Sequence, residues 1–429
     1  MKKYDLIVVG GGLTGVAAAV AAARQGLQVL LAEQSGSLGG ALSNNLIFPF
    51  MPFTTDPEPG KTKVLSAGLF SEMFLRSQAI TAKLGPASVE HPEPSMMRYT
   101  ADICPEHFKF ALDDMVQEAG VEVLYHVTFS RVTTQDRLVK SVCFATKAGL
   151  LELEADFFID ATGDGDLFAF AGCDFQLGRE SDGLSQPMTI CFRIGNVDFS
   201  QYSWEALLPV YEQWKADGRI TNPRENILVC KGEGLGDGIL HFNTTRVTHH
   251  NPTDPFSLSQ AETIARGQIR ELLEFFRAFP AFRNANIIAS AAIGVRESRK
   301  LKGEHILTAQ ELVDCTKFDD AIALGNYDID IHNPAGSGTS HYYFAPGDYY
   351  SIPYRSLLPK EFDNLLVGGR CISATHEAQA STRIMPICAT TGEAAGIAIA
   401  VAKNTGTDTH TLDVSKVQAI LRANGAAID

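Results

Sequence analysis

Apolar positions along the chain follow two periods, and where one gives way to the other they outline the elements. Residues 6–9 and 29–31 are short, unbroken, β-branched-rich runs, the pattern of strands buried on both faces. A glycine turn and a helix of small residues lie between them. Phe108, Ala111, Leu112, Met115 and Val116 recur at helical spacing, and the strand "VEVLYHVTF" follows. Residues 138–146 and 150–159 read as two strands of a meander leading into "FFIDATGDGD".

From about residue 185 the texture changes. "SQPMTICFRIG" and "GILHFNTTRV" alternate like strands of a half-exposed sheet. Ile264, Leu272, Phe275 and Phe276 mark a helix, and "IIASAAIGVRESRKLKGEHILTAQEL" reads as strand, charged turn and strand. The glycine loop at 232–238 has no helix pattern after it and is read as a hairpin turn. Residues 365–367 are again a buried run, followed by a loop from Arg370 to Met385. A long helix then opens at Pro386, where a missing N–H costs nothing. Its residues Cys388, Ala389, Gly392, Ala395, Gly396 and Ile399 share one small face. Either a flat ring system or the first helix lies against it.

This order predicts an α/β protein with two domains, consistent with 429 residues. A Rossmann-like domain, a parallel sheet plus a β-meander, is assembled from residues 1–50, 100–185 and 356–429. A second, mixed-sheet domain at 186–355 is expected to bind substrate. Residues 51–99, rich in Pro, Phe and Met, are expected to form an insertion or lid.

Composition narrows the functions. A net charge of −14 argues against nucleic acid or an anionic membrane surface as partner. No apolar run stands out as a membrane span, so a cytoplasmic setting is expected. The eight cysteines include no C-x-x-C pair, which removes zinc ribbons and common iron–sulfur runs; no metal site is expected. The 37 glycines exceed what packing requires and suggest close backbone approach to a ligand.

The glycines have definite places. Gly10, Gly12 and Gly15 form G-x-G-x-x-G between the first strand and helix, and Glu33 ends the second strand. In such a unit the first glycine turns the chain, the second admits a pyrophosphate and the third packs helix on strand. Leu13 and Thr14 open the helix, whose N-terminus faces the diphosphate. Glu33 accepts from ribose hydroxyls and repels a 2′-phosphate. The unit serves NAD or FAD equally, and Gly39–Gly40 turns the chain back against a second part of the ligand. Ala161, Thr162, Gly163 and Asp164 end another buried strand beside the same crevice. No second strand–glycine–helix unit for a nicotinamide cofactor is found.

Taken together, G-G-G-x-x-G, "FIDATGDGD", "QPMT", "GVRESRKLKGEHILT" and "LLVGGRCISATHEAQASTRIMP" resemble the FAD-dependent oxidoreductase family, of the glutathione-reductase-like flavoproteins. The resemblance covers nearly the whole chain. It implies FAD at Gly10, Gly12, Gly15, Glu33, Gly40, Gly163, Asp164 and a helix start that includes Met385, Pro386, Thr391 and Gly392. That helix end would favour negative charge on the flavin. Where the wider group carries Gly-Asp after the late strand, this chain has Gly369–Arg370, so a cation is expected to serve that region.

The function implied is hydride transfer between flavin N5 and a small polar substrate bearing a carboxylate, keto or hydroxyl group. Arg296, Arg383, His341 and His376 are the candidate catalytic residues, with Arg299 nearby. Histidine can take or give a proton near neutral pH, and arginine holds an anion. An NAD-dependent dehydrogenase and a non-catalytic electron-transfer flavoprotein are the alternatives. The electron donor or acceptor and any homo-oligomer are left open.

Overall fold

The computed structural model describes residues 3–55, 62–85, 103–230 and 235–429. Parts of two expectations, the insertion or lid at 51–99 and the turn at 232–238, lie outside the described residues. Val229–Cys230 and Leu240–Phe242, which flank that turn, pair antiparallel.

Strand Tyr4–Val9 is the centre of a seven-stranded sheet. It pairs in parallel with Val29–Ala32 on one side and with residues 155–160 on the other. Glu122–Leu124 and Leu365–Val367 extend the parallel part. The long strand Gly149–Asp160 belongs to two layers. Its first half pairs antiparallel with Leu138–Thr146, which pairs with Thr128–Gln135 to form the meander. His126, at φ +57°, breaks the run expected as one strand over 121–129 into two.

The helix Leu13–Arg24 and the last long helix, Met385–Thr405, lie against each other, which resolves what faces the small residues. A Cβ on Gly392 would stand 2.2 Å from the Thr14 carbonyl oxygen, and one on Gly396 2.2 Å from that of Ala18. The first helix occupies this face, not a ring system. Met385–Thr405 is the one described helix long and apolar enough to cross a membrane, a feature missed in the sequence, and it is buried inside the protein.

Residues 188–293 carry a second core, whereas Leu307, Ile322, Ala323, Tyr350 and Ile352, from the later part of the segment expected as one domain, pack in the first. The sheet order is Asn286–Ser290, Phe192–Gly195, Leu240–Phe242, Val229–Cys230, with every pairing antiparallel. Helix Pro255–Phe276, capped by the Asp254 side chain on the Ser257 N–H at 2.7 Å, lays Ile269, Leu272, Phe275 and Phe276 on this sheet. Ile264 lies off that buried stripe.

Several helices lie outside the sequence expectations, among them Trp204–Ala216, Val414–Ala423 and two that bear on the site. Leu69–Leu84 buries Phe70, Met73 and Phe74 among the phenylalanines at 48–53. His376–Thr382 forms within the expected loop because Thr375 caps it, accepting from the Ala378 N–H, a contact worth about 1 kcal/mol.

Glu393 ties the long helix to Leu69–Leu84, its Oε2 accepting from the Leu69 N–H at 2.9 Å. Burial pushes its carboxyl from the ordinary 4.5 up to about 7. A raised carboxyl stabilises fully below its unfolded value, and that stability is lost as pH rises toward 7. Glu393→Gln should therefore flatten the fall in stability between pH 5 and pH 8 and raise Tm at the alkaline end. Denaturant titrations at the two pH values check this; equal slopes in both proteins would refute it.

Candidate active site

At the dinucleotide end, two of the three motif glycines are demanded by the fold itself. A Cβ on Gly10, at φ +104°, would lie 2.4 Å from the Ala161 oxygen, and one on Gly15 1.8 Å from the Gly10 oxygen. Gly12 differs: a Cβ there would meet only the Gly40 Cα, at 3.9 Å. The space above Gly12 is open to a ligand. Gly39 donates its N–H to the Gly11 oxygen at 2.9 Å and brings Gly40 alongside, forming one floor. The helix that starts at Leu13 has no side-chain cap, so its first N–H groups face this space.

Glu33 is buried, and its carboxylate already holds the turn: Oε2 accepts from the Gly11 N–H and Oε1 from the Ser35 N–H, both at 2.7 Å. Each oxygen keeps a lone pair for a ribose hydroxyl.

The helix pairs of Thr14 with Gly392 and Ala18 with Gly396 show that the two helices run parallel. Both positive ends therefore face the same side. By this register the Met385 start reaches six residues, or about 9 Å, further out than the Leu13 start. It too lacks a side-chain cap, with Pro386 in its first turn. An extended dinucleotide, with its diphosphate at Gly12 and its ring end near Met385, fits this stagger. Gly369 and Thr391 knot the crossing: a Cβ on Gly369 would lie 2.3 Å from Thr14 Oγ1, and the Gly369 N–H donates to Thr391 Oγ1 at 3.0 Å.

Thr162 is held by Asp160, whose Oδ1 accepts from its N–H at 3.0 Å and its hydroxyl at 2.7 Å. Burial pushes the Asp160 carboxyl up to about 6. Arg370 was expected to serve the ligand, but its guanidinium is occupied by protein. Nε donates to the Gly163 oxygen and Nη2 to Asp164 Oδ1, both at 2.7 Å, and Nη1 donates to the Val295 oxygen. It clamps the Gly163–Asp164 turn to the segment at Val295. Arg299 reinforces the clamp through the Asp164 oxygen and Asp166.

Of the proposed catalytic residues, Arg296 and His376 adjoin through helix His376–Thr382. Gln379 of that helix donates to the Arg296 carbonyl at 2.9 Å. Arg296 Nη1 donates to the Pro187 oxygen and Thr189 Oγ1 at 2.7 Å, and Nη2 to Asn243 Oδ1 at 3.2 Å. Two of its five N–H donors are left over. Burial, with Arg383 and Arg224 close by, pushes Arg296 down to about 9.

His376 is buried, with Nδ1 2.9 Å from Glu297 Oε1. Among the described residues Nε2 has no hydrogen-bond partner. Glu297, fully buried, also receives Lys300 Nζ and the Gln186 N–H. Burial works to raise its carboxyl, but His376 and Lys300 outweigh it and hold it low. Glu297, Lys300, Gln186 and Gln379 were missed as site residues. The signal for the first two was a Glu-x-x-Lys pair inside "GVRESRKLKG".

Arg383 pairs with Asp330 at 3.0 Å, and Asp330 also accepts from the Tyr327 hydroxyl at 2.9 Å. His341 is exposed on the 329–342 hairpin, with Nδ1 2.5 Å from Asp328 Oδ2, Nε2 3.8 Å from Asp330 Oδ1 and its ring stacked on Tyr343. It is not brought to His376. Tyr350 and Tyr354 are core residues.

The sequence signature of the family described as FAD dependent oxidoreductase matches residues 5–421. No curated protein matches the chain. Similar solved structures include a geranylgeranyl bacteriochlorophyll reductase-like protein from Thermoplasma acidophilum, at 14% identity and TM-score 0.48, over 99% of this chain and 84% of that one. Anhydrotetracycline hydroxylase from Streptomyces rimosus is 12% identical at TM-score 0.48, over 99% of this chain and 66% of that one. The myxobacterial chondrochloren halogenase is 14% identical at TM-score 0.46, over 99% and 79%.

Proposed function

This chain belongs to the FAD dependent oxidoreductase family, and from that premise we propose that it moves a hydride between FAD and a small polar substrate bearing a carboxylate, keto or hydroxyl group. We also place it, as a proposal, among the glutathione-reductase-like flavoproteins. Bound FAD supplies the hydride acceptor or donor. Gly12, the Leu13 helix start and Glu33 are the residues suited to hold its diphosphate and ribose, and the Met385 helix start its far end.

The observation that carries the reading is the His376–Glu297 pair beside Arg296. Glu297 accepts the Nδ1 proton of His376 and so orients the ring, as a carboxylate does for an acid–base histidine. The partner-free Nε2 takes a proton from an alcohol or amine as the hydride leaves, or gives one to an enoate. The two spare donors of Arg296 hold the substrate oxyanion, and Arg383 adds positive charge.

Anaerobic mixing with hydroxy acids, enoates, amines and sugars, followed by loss of the yellow absorbance, tests the reaction class. With the compound that bleaches best, Arg296→Ala should raise KM by about 10–100-fold, the value of one charge-assisted bond, with the flavin spectrum unchanged. An unaltered KM makes Arg296 a structural link between Pro187 and Asn243. Failure of every compound to bleach the protein favours an electron carrier.

A further inference from the structure

The four-stranded sheet of the second core has two unlike faces. Phe192, Ile194, Leu240 and Phe242 pack in the second core with helix Pro255–Phe276. Side chains alternate along a strand, so Arg193, His241 and Asn243 take the opposite face. The register sets His241 beside Arg193. This face looks toward the dinucleotide half, for the Phe48 ring meets His241 edge-on at 5.7 Å.

Several polar atoms here lack a partner among the described residues. His241 is fully buried and neither ring nitrogen has a hydrogen-bond partner. Nε and Nη2 of Arg193 are shielded from solvent and have none, and Arg224, 5% exposed, leaves Nη1 without one. A buried polar group left unpaired is costly, and a buried cation more so. Nearby acids are engaged elsewhere. Glu106 holds Lys109 at 2.9 Å, Glu225 lies 3.5 Å from Arg246, and Asp330 pairs with Arg383. Among the described residues no carboxylate forms an ion pair with Arg193 or Arg224. Burial lowers both guanidinium groups and takes His241 down to about 3, the direction expected where a counter-charge is wanting.

The free atoms have a geometry. Nε and Nη2 form the edge of arginine that makes two parallel bonds to a planar oxyanion. We propose that this face is an anion subsite in which Arg193 takes a carboxylate of the substrate side-on, with His241 and Arg224 Nη1 as flanking donors. The proposal rests on the reading of Arg296 as a substrate-binding residue, because Asn243, two residues from His241, accepts the Arg296 bond. Two residues of strand span about 7 Å. The substrate class is therefore a small molecule with one carboxylate at Arg193 and its reacting carbon nearer Arg296 and His376. Entry requires the Phe48 ring to move aside.

Thermal unfolding of the yellow holoenzyme at matched ionic strength tests binding without turnover, so the result stands apart from any bleaching screen. Saturating malonate should raise Tm by about 3 °C or more, and neutral malonamide should leave it unchanged. Arg193→Met removes a cation that has no partner, so this variant should unfold at or above the parental Tm and lose the malonate response. Stabilisation by inorganic phosphate but not malonate, or by neither, overturns the proposal. So does an Arg193→Met protein that fails to fold, melts earlier than the parent or still responds to malonate.

Discussion

Gly12→Val protein should purify folded and colourless. The fold itself has room for the new side chain, since a Cβ at Gly12 meets only the Gly40 Cα at 3.9 Å. Its backbone, at φ −66°, is one that any residue adopts. What the valine fills is the open space at the uncapped helix start, where the diphosphate of FAD has to come within hydrogen-bond distance of backbone N–H groups. Gly15→Val is the contrast. There a Cβ would lie 1.8 Å from the Gly10 oxygen, so that protein should lose its fold as well as its colour. Circular dichroism together with visible absorbance separates the two outcomes. A fully yellow Gly12→Val protein would exclude the Gly10–Gly15 turn as the FAD site.

Removing Glu297 should destabilise the fold strongly. The carboxylate is fully buried and meets His376, Lys300 and the Gln186 N–H; Lys300, equally buried, otherwise donates to the Gly178 oxygen at 2.8 Å. In Glu297→Ala a buried ammonium is left with that carbonyl and no counter-charge. Breaking one side of such a pair costs about 3–5 kcal/mol. Glu297→Ala with Lys300→Met removes both charges and should recover most of the loss. The double variant still lacks the group that orients His376, so its flavin should bleach about 10²-fold more slowly than the parent's. Denaturant unfolding gives the first quantity and anaerobic rapid mixing the second. A single variant as stable as the parent contradicts the buried-pair argument; a double variant that bleaches at the parental rate leaves His376 as a packing residue.

The parts legible in the sequence are those set within short windows. Gly10, Gly12 and Gly15 were readable because a strand–turn–helix unit constrains each backbone position locally. The meander and the helices Pro105–Glu118 and Pro255–Phe276 were readable from their apolar period. The small face at Gly392 and Gly396 showed that something approaches closely, but a ring and a helix both require the same missing Cβ. Only docking of the two helices distinguished them.

The rest depends on pairs distant in the chain. His376 and Glu297 are 79 residues apart, and Arg370 and Asp164 are 206 apart. No local period records such a partner. Arg370 reads from sequence as a free cation and in the fold is a clamp; Arg193 reads as one polar position in an alternating strand and in the fold is a half-buried guanidinium whose Nε and Nη2 have no partner among the described residues. The sequence by itself determined where the backbone turns and which faces are apolar, because sterics and hydrophobic period act over a few residues. The tertiary structure decided which charges are spent on one another and which are left for a ligand, because that depends on which elements pack together, and burial then makes each unpaired charge expensive.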